Sequence, residues 1–267
     1  MKITAKGIYK SIELIRFQAP VVHNITNYVA MNNTANALLA IGASPVMAHA
    51  EEEVEEMVNI ASALVINIGT LSERWISSMF KAARHARKKG IPVILDPVGA
   101  GATDYRTKTA RDLIASEPPA IIRGNASEIM ALYDDKSKTK GVDSAASSDA
   151  AIDIAQRLSE IHKCVICVSG EIDYIIDKEK ILKIKNGHPM MSRVTGLGCT
   201  ASALCGAFAA IGKSAFSATA CAMAVMGIAG EIAAGVAEGP GSLQIHFLDA
   251  LYRLSEDEII RHLKIEY

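Results

Sequence analysis

Aromatic side chains are scarce in this sequence, and no charge of one sign predominates. Phe, Trp and Tyr make up 5% of the 267 residues, and the formal net charge at pH 7 is −1. Proteins that bind nucleic acid without sequence preference need a basic patch or stripe. Because Lys and Arg are dispersed along this chain, we expect no nucleic-acid partner.

Cysteine is also sparse, and the odd total of five residues argues against a disulfide framework. Cys164 and Cys167 form a C-x-x-C pair inside the apolar run KCVICVSG. Residues three apart on a β-strand point to opposite faces, so the two sulfurs cannot readily share a metal ion. The pair therefore predicts a strand rather than a zinc or redox site.

The N-terminal segment lacks the apolar core of a signal peptide and has isoleucines at helical spacing. The stretch 196–235 is rich in small residues, but Lys213 and Glu231 interrupt it. Ala, Gly and Ser give such a stretch little affinity for lipid. We therefore expect internal helices with a break at Gly212 and Lys213, no membrane association and a cytoplasmic location.

Apolar strand patterns alternate with helical patterns along the chain. The strands are predicted at 20–24, 63–68, 91–95, 119–123 and 164–168. The helices are predicted at 28–41, 51–60, 72–89, 106–116, 126–133 and 147–161. This alternation indicates an α/β fold with a mostly parallel central sheet and helices on both faces. With 50% hydrophobic residues, residues 1–267 are expected to form one domain.

Two further segments have their own patterns. Residues 173–187, DYIIDKEKILKIKNG, alternate in polarity on either side of Asp177 and Lys178, which predicts a hairpin that adds antiparallel strands. Residues 134–148 are polar and are expected to form a surface excursion before the next helix.

The segment VTGLGCT at 194–200 predicts a glycine turn that opens a helix. Such a turn points the free backbone N–H groups of Gly196, Leu197, Gly198 and Cys199 at one position, where a phosphate or a developing negative charge is stabilised. Cys199 lies in the first helical turn, where the helix dipole favours the thiolate. The combination indicates phosphoryl transfer, although a glycine turn by itself also occurs for packing alone.

Two strand ends supply carboxylates. The run IPVILDPVGAGAT ends in Asp96, and the run PAIIRGNASE carries Arg123 and Glu128. Open α/β sheets bind ligands at the carboxyl ends of their strands. Two carboxylates without a His or Cys cluster favour a hard ion such as Mg²⁺ beside phosphates. Each acid also has a simpler interpretation: Asp96 as a turn former and Glu128 as an acid in a first helical turn.

Three other polar residues lie at strand ends or in apolar strands. Asn27 precedes the helical stretch 28–41 and is interpreted either as a substrate contact or as a cap. Ser169 ends a strand and either binds phosphate or caps a turn. His23 is interpreted as a hydrogen-bonded structural residue.

Several segments together resemble the hydroxyethylthiazole kinases. They are HNITN at 23–27, NALLAIGASPVMA at 36–48, INIGTL at 66–71, LDPVGAGAT at 95–103, RGNASEI at 123–129, VSGEIDYI at 168–175 and VTGLGC at 194–199. That family has a ribokinase-like fold, whose members carry an N-x-x-E segment, matched here by Asn125 to Glu128. Most ribokinase-like kinases have Asp where this chain has Cys199, and a cysteine there is typical of the thiazole kinases.

The resemblance implies transfer of the γ-phosphoryl group of ATP to the hydroxyl of 4-methyl-5-(2-hydroxyethyl)thiazole, for thiamine biosynthesis or salvage. It also implies Mg²⁺ and a homotrimer with active sites between subunits. For this reaction we expect Cys199 as the catalytic residue, Arg123 and Ser169 as ATP contacts, and Asp96 and Glu128 at the metal. The resemblance adds substrate contacts at Met47, Gly196 and Asn27. Leu197 and Ser169 are small departures from the family, where a smaller residue and Thr are common.

Three alternatives stay open. An ATP- or ADP-dependent dehydratase of hydrated nicotinamide cofactors shares the fold, but such proteins generally have Asp at the position of Cys199. A related pyrimidine kinase is a closer competitor, and HNITN and GASPVMA favour the thiazole. A noncatalytic nucleotide sensor is the third, and the presence of Asp96, Glu128 and Cys199 argues against it.

Overall fold

The computed structural model describes residues 2–133, 148–212 and 214–267. The strands are β1 Val21–Ile25, β2 Ser44–Val46, β3 Ala63–Asn67, β4 Val93–Asp96, β5 Ile121–Asn125, β6 Val165–Ser169, β7 Asp173–Asp177, β8 Lys180–Ile184 and β9 Ile265–Glu266. The helices are α1 Ala5–Gln18, α2 Met31–Ile41, α3 Val54–Ile60, α4 Glu73–Lys89, α5 Asp104–Ser116, α6 Ala126–Leu132, α7 Ser148–His162, α8 Leu197–Ala210, α9 Ala215–Ala234, α10 Pro240–Arg253 and α11 Glu256–His262. A 3₁₀ helix covers Pro189–Arg193.

Across the described residues the strands form one nine-stranded sheet in the order β2-β1-β3-β4-β5-β6-β7-β8-β9. The strands from β2 to β6 pair in parallel, and β7, β8 and β9 are antiparallel. The predicted mostly parallel sheet and the predicted hairpin are therefore confirmed. After β1 the chain runs outward to β2 and then returns to β3 on the other side of β1. This reversal is the kind of switch point at which parallel sheets open a ligand crevice.

Helices cover both faces of the sheet, because the central strands are apolar on both sides. Every residue of β3 and β4 is buried, as expected for parallel strands between two helical layers. One apolar core contains side chains of α1, α2 and α8 to α11, and the other contains side chains of α3 to α7. Cys167 lies in the first core and Cys164 in the second, so the C-x-x-C sulfurs face opposite sides as predicted.

Helices α8 and α9 consist mainly of small buried residues. A Cβ on Gly206 would lie 2.8 Å from Cγ2 of Val65, so the absent side chain lets α8 approach the sheet closely. Helix α9 is long and apolar enough to cross a membrane, but 83% of its most apolar 18-residue stretch is buried within the fold. The two helices are separated after Ala210, near the predicted break. Both pack as core helices.

Most differences from the sequence predictions lie at element boundaries or in short elements. Helix α2 begins at Met31 rather than at 28, because residues 28–30 form a turn. Strand β2 has three residues, including Pro45, and pairs only with β1 at the edge of the sheet. An element this short has no recognisable period, so its existence depends on its neighbour. The predicted excursion at 134–148 falls, except for its last residue, outside the described residues.

Candidate active site

The polar residues predicted from strand ends lie along one edge of the sheet. Asn67 at the end of β3 is in register with Asp96 at the end of β4, and Asn125 is in register with Ser169. Asn27 follows β1 by two residues. Because these strands are parallel, their carboxyl ends meet at the same edge. Helix α8 packs on β1, β3 and β4 and supplies the remaining part of the site.

The N-terminus of α8 is built as the glycine turn predicts. Gly196 is the N-cap residue with φ of 82°, a left-handed conformation that favours glycine, and no side chain caps the helix. The first N–H groups of an α-helix have no partner within the helix. Those of Leu197, Gly198 and Cys199 therefore provide the geometry of an anion site at the positive end of the dipole.

A chain of side-chain hydrogen bonds connects Cys199 to Asp96. Asn27 Nδ2 donates to Cys199 Sγ at 3.2 Å and to Asn67 Oδ1 at 2.8 Å. Asn67 Nδ2 donates to Asp96 Oδ2 at 2.8 Å. Ser202 Oγ, one helical turn after Cys199, donates to the same carboxylate oxygen at 2.7 Å. The structure thus brings the predicted catalytic thiol, one predicted substrate contact and one predicted metal ligand into one network.

The thiol of Cys199 is partly buried, whereas the other four cysteines are buried. Burial raises the pKa of Cys199 above its ordinary value and the charge of Asp96 acts in the same direction, while hydrogen bonds from Asn27 and Asn67 and the charge of Arg123 lower it. The net direction is upward. Desolvation therefore outweighs the interactions that favour the thiolate of Cys199 in the free protein.

Asp96 is fully buried, and its carboxylate is incompletely satisfied. Oδ2 accepts two hydrogen bonds, from Asn67 and Ser202, whereas Oδ1 has no hydrogen-bond partner. Burial raises the pKa of Asp96 to about 6, and the charge of Arg123 opposes the shift. A buried carboxylate oxygen without a donor fits a cation ligand better than a simple turn former.

Glu128 lies close enough for its charge to raise the pKa of Asp96. Its Oε1 accepts the N–H of Gly99 and its Oε2 accepts the N–H of Asn125, each at 2.9 Å. The second bond belongs to a capping box in which Asn125 caps α6. The carboxylate is thus fixed structurally, and each oxygen retains further lone-pair capacity.

In the described residues no group of three or more His, Cys, Asp and Glu side chains has the arrangement of a metal site. Mg²⁺ at a nucleotide site needs only one or two protein carboxylates, since waters and phosphates complete its coordination. The pair Asp96 and Glu128, with the free oxygen of Asp96, therefore fits Mg²⁺.

The guanidinium of Arg123 lies beside the glycine turn. A Cβ on Gly198 would be 3.0 Å from Arg123 Nη1, and Arg123 Nη2 donates to Ser169 Oγ at 2.7 Å. Burial lowers the pKa of Arg123, but the charge of Asp96 and other nearby acidic groups raise it, and the net direction is upward. The side chain therefore stays cationic next to the positive end of α8, an arrangement that an anion between them would stabilise.

The hydroxyl of Ser169 is already engaged. Besides accepting from Arg123, it donates to the carbonyl of Gly124 at 3.2 Å. The sequence offered two interpretations of Ser169, phosphate binding and local capping. In the structure its hydroxyl has another role, because it fixes the orientation of Arg123.

Met47 lies at the same edge, directly after β2, and is half-buried. Its segment is attached to β1 by His23, whose Nε2 lies 2.8 Å from the carbonyl oxygen of Ala48. Burial lowers the pKa of His23, so the ring is neutral and donates from Nε2 to the carbonyl. His23 is thus a hydrogen-bonded structural residue, as the sequence suggested.

Several residues of the site were not singled out from the sequence. Asn67 and Ser202 complete the network. Arg106 donates to the carbonyl oxygens of Ile68, Val98 and Gly69 at 2.7 to 3.0 Å and so joins the loops after β3 and β4. The position of Asn67 at a strand end in INIGTL was an available signal. Ser202 and Arg106 lie inside helices and had none.

The fold and this edge define a class of protein. A ribokinase-like superfamily protein of Enterococcus faecalis superposes with a TM-score of 0.60 at 16% identity, covering 88% of this chain and 87% of that chain. The protein therefore has the ribokinase-like fold, as the sequence resemblance implied.

Closer comparisons identify the family. The sequence profile of the hydroxyethylthiazole kinase family matches residues 12–257. A hydroxyethylthiazole kinase of Syntrophus aciditrophicus is 61% identical over 266 residues, covering 99% of this chain and 98% of the relative. The structure of a hydroxyethylthiazole kinase protein from Pyrococcus horikoshii superposes with a TM-score of 0.89 at 41% identity and covers 98% of both chains. This chain belongs to the hydroxyethylthiazole kinase family.

Proposed function

We propose that this protein transfers the γ-phosphoryl group of ATP to the hydroxyl of 4-methyl-5-(2-hydroxyethyl)thiazole, giving the thiazole phosphate used in thiamine biosynthesis or salvage. The substrate follows from the family. The observation that carries the chemistry is the position of Cys199, which lies at the uncapped, positive end of α8 and is hydrogen-bonded through Asn27 and Asn67 to Asp96.

Charge neutralisation is the main requirement of phosphoryl transfer, whose transition state is loose. The first N–H groups of α8, from Leu197 to Cys199, would accept the charge of the migrating phosphoryl group, with Gly196 forming the turn. The guanidinium of Arg123 lies beside this turn, since a Cβ on Gly198 would be 3.0 Å from its Nη1. We assign Arg123 to the ATP phosphates and Ser169 to the same subsite, where its hydroxyl holds the guanidinium.

Asp96 and Glu128 would hold Mg²⁺. The ion would supply charge neutralisation on the ATP phosphates. Two observations support a Mg²⁺ site here: Oδ1 of Asp96 has no hydrogen-bond partner, and the carboxylates of Asp96 and Glu128 lie close to each other.

Cys199 would accept or orient the proton of the substrate hydroxyl. Its raised pKa means that little thiolate exists in the free protein at neutral pH, so the thiol has to lose its proton before it can act as a base. We place the thiazole between Met47, Gly196 and Asn27. Asn27 then has two functions, because its Oδ1 also accepts the N–H of Ala30 in the turn before α2.

The assembly is proposed from the family together with one surface feature. Tyr28 and Val29 are 65% and 61% exposed directly after Asn27. Apolar side chains exposed beside a binding site are typical of a surface that another subunit covers. We therefore propose a homotrimer with active sites between subunits, in which residues 1–267 form a single domain, and a cytoplasmic location.

The test is ADP release from ATP and Mg²⁺ with three parallel reactions: hydroxyethylthiazole, hydroxymethylpyrimidine and no acceptor. Thiazole-dependent turnover supports the proposal. ADP release that depends on the pyrimidine alone, or ATP binding by folded protein without turnover on either alcohol, contradicts it. Sedimentation velocity of the same sample tests the trimer.

A further inference from the structure

We propose that Asn67 is a positioning residue for the reaction, because it holds the side-chain amide of Asn27 in the orientation that points an N–H at Cys199 Sγ. The inference rests on the proposed function, in which Cys199 receives the proton of the substrate hydroxyl. The side chain of Asn67 makes hydrogen bonds to Asn27, Asp96 and the N–H of Gly69, and it is also near enough to Cys199 to lower the pKa of the thiol.

Backbone donors fix the orientation of both amides. The N–H of Gly69 donates to Asn67 Oδ1 at 2.9 Å, and the N–H of Ala30 donates to Asn27 Oδ1 at 3.0 Å. A backbone N–H can only donate, so the atom it meets must be the oxygen of each amide. Turning either amide over would set an NH₂ group against an N–H.

The Nδ2 groups must therefore face the other way. Nδ2 of Asn67 meets the carboxylate of Asp96, and Nδ2 of Asn27 meets both Asn67 Oδ1 and Cys199 Sγ. Every hydrogen bond of these two amides is consistent with the orientation that the backbone N–H groups of Gly69 and Ala30 impose. The sulfur of Cys199 is consequently presented with a donor, which favours the charged thiolate over the thiol.

Burial leaves few alternative partners for these groups. Asn27 is 4% exposed and Asn67 is 1% exposed, so water cannot readily replace either of them. The chain also packs tightly here, because a Cβ on Gly69 would lie 2.7 Å from Asn27 Nδ2. Glycine at this position is what allows the Asn27 amide to lie against the turn after β3.

A purely structural role for Asn67, as a donor to Asp96, is the competing explanation. Ser202 provides the matched control, since its Oγ donates to the same oxygen, Asp96 Oδ2. Among the hydrogen bonds of the described residues, none joins Ser202 to the side-chain amide of Asn27 or Asn67. Replacing Ser202 removes a donor from Asp96 and leaves Asn27 held by Asn67. Replacing Asn67 removes both functions.

The experiment measures the pH dependence of Cys199 alkylation by iodoacetamide, followed by intact mass. Cys199 is the one cysteine of the five that is not buried, so folded protein reports on this thiol. We expect Asn67→Ala to raise the midpoint of the alkylation profile by about one pH unit, because the sulfur loses its oriented donor. Ser202→Ala should leave the midpoint unchanged. An unchanged midpoint in Asn67→Ala, or an equal shift in Ser202→Ala, overturns the inference.

A double-variant comparison shows whether Asn67 acts through Asn27. In the Asn27→Ala background, Asn67→Ala should add no further shift, whereas an independent structural effect would add to it. If Asn67→Ala does not fold, Asn67→Ser replaces it. The serine hydroxyl still accepts the N–H of Gly69 in a local turn but is too short to reach Asn27.

Kinetics separate this inference from the proposed function. Asn67→Ala should lower kcat at least tenfold while KM for ATP stays within about twofold. A shifted alkylation midpoint with unchanged kcat would overturn the positioning role of Asn67 in the reaction, while the thiazole-dependent turnover itself would still support the proposed function. A shifted midpoint in a native protein that shows no turnover on the thiazole would instead contradict the proposed function and leave the contact between Asn67 and Asn27 as the cause of the shift.

Discussion

The guanidinium of Arg123 packs directly on the backbone of Gly198, so closely that a Cβ on that glycine would lie 3.0 Å from Nη1. A cation thus lies at the positive end of α8, where it is unfavourable by itself. Two positive elements converge on one space. A bound anion lowers the free energy of this arrangement, which is the physical basis of the proposed ATP phosphate site.

Gly198→Ala tests this contact. We expect the added methyl to displace the guanidinium and to raise the Kd for ATP about tenfold, because a charge-assisted hydrogen bond contributes roughly 1.5 to 3 kcal/mol. Thermal stability should not fall, since alanine is the better helix former. Titration calorimetry checks the affinity. Gly241→Ala is the matched control, as nothing lies near its Cβ position. An unaltered Kd in Gly198→Ala would contradict the site.

A double-mutant cycle distinguishes a direct from an indirect role of Ser169. If its hydroxyl acts by holding Arg123, Ser169→Ala should weaken ATP binding by about three- to fivefold in the native background. It should have no further effect once Arg123→Met is present. Additive losses in the double variant would instead mean that Ser169 contacts the nucleotide directly. Calorimetric Kd values for the four proteins complete the cycle.

Cys199→Ala is expected to lower kcat by roughly 10²-fold or more with little change in ATP affinity, because a positioned base contributes about this much. Since burial raises the pKa of Cys199, thiolate increases about tenfold per pH unit below that pKa. The native kcat should therefore rise from neutral to alkaline pH, and the Cys199→Ala profile should be flat. An equal slope in both proteins would exclude the thiol as the base.

The variant Cys199→Asp tests whether the carboxylate usual in ribokinase-like kinases functions at this turn.

Asp96→Asn should separate activity from stability. The amide oxygen can replace Oδ2 as the acceptor for Asn67 and Ser202, while the variant loses the carboxylate that faces the proposed ion. We expect kcat to fall by roughly 10²-fold or more and to need higher Mg²⁺. The midpoint of thermal unfolding should stay equal or rise, because a buried charge is removed. A loss of both activity and stability would point to a structural role.

Asp173 makes stability depend on pH. It is 8% exposed, and burial raises its pKa from 3.8 to about 6. A carboxyl whose pKa is raised by folding stabilises the protein below the pKa of the unfolded state, and this contribution is lost as pH rises through the folded pKa. Relative to Asp173→Asn, the native protein should lose roughly 2 to 2.5 kcal/mol of unfolding free energy between about pH 4 and pH 7. Urea unfolding of both proteins at the two pH values measures this, and a constant difference would contradict the assigned burial cost.

Much of the scaffold could be predicted from the sequence. Strands β1, β3, β4, β5 and β6 are short apolar runs that end in polar or turn residues, and their local pattern is strong enough to place them within two residues. The small edge strands β2 and β9 could not be placed in this way. Their pairing depends on β1 and β8, which a local window does not contain.

Some residues of the candidate site could be predicted from the sequence, and others could not. Asp96, Arg123 and Cys199 were singled out because each follows a recognisable strand end or glycine turn. Ser202 had no such signal, and its bond to Asp96 joins residues 106 positions apart. Asn27 was assigned either of two roles, and in the structure it caps a turn and contacts the thiol at once.

The sequence by itself determined the βα alternation and the glycine turn at Gly196, because hydrophobic period and glycine turns are properties of short segments. The resemblance of several segments to known kinases indicated the family. Only the tertiary structure decided what surrounds Cys199. Asn27 lies 172 positions away from it in the chain, and burial by distant elements raises the pKa of the thiol. Contacts and desolvation of this kind arise when parallel strands align their carboxyl ends, which no local pattern encodes.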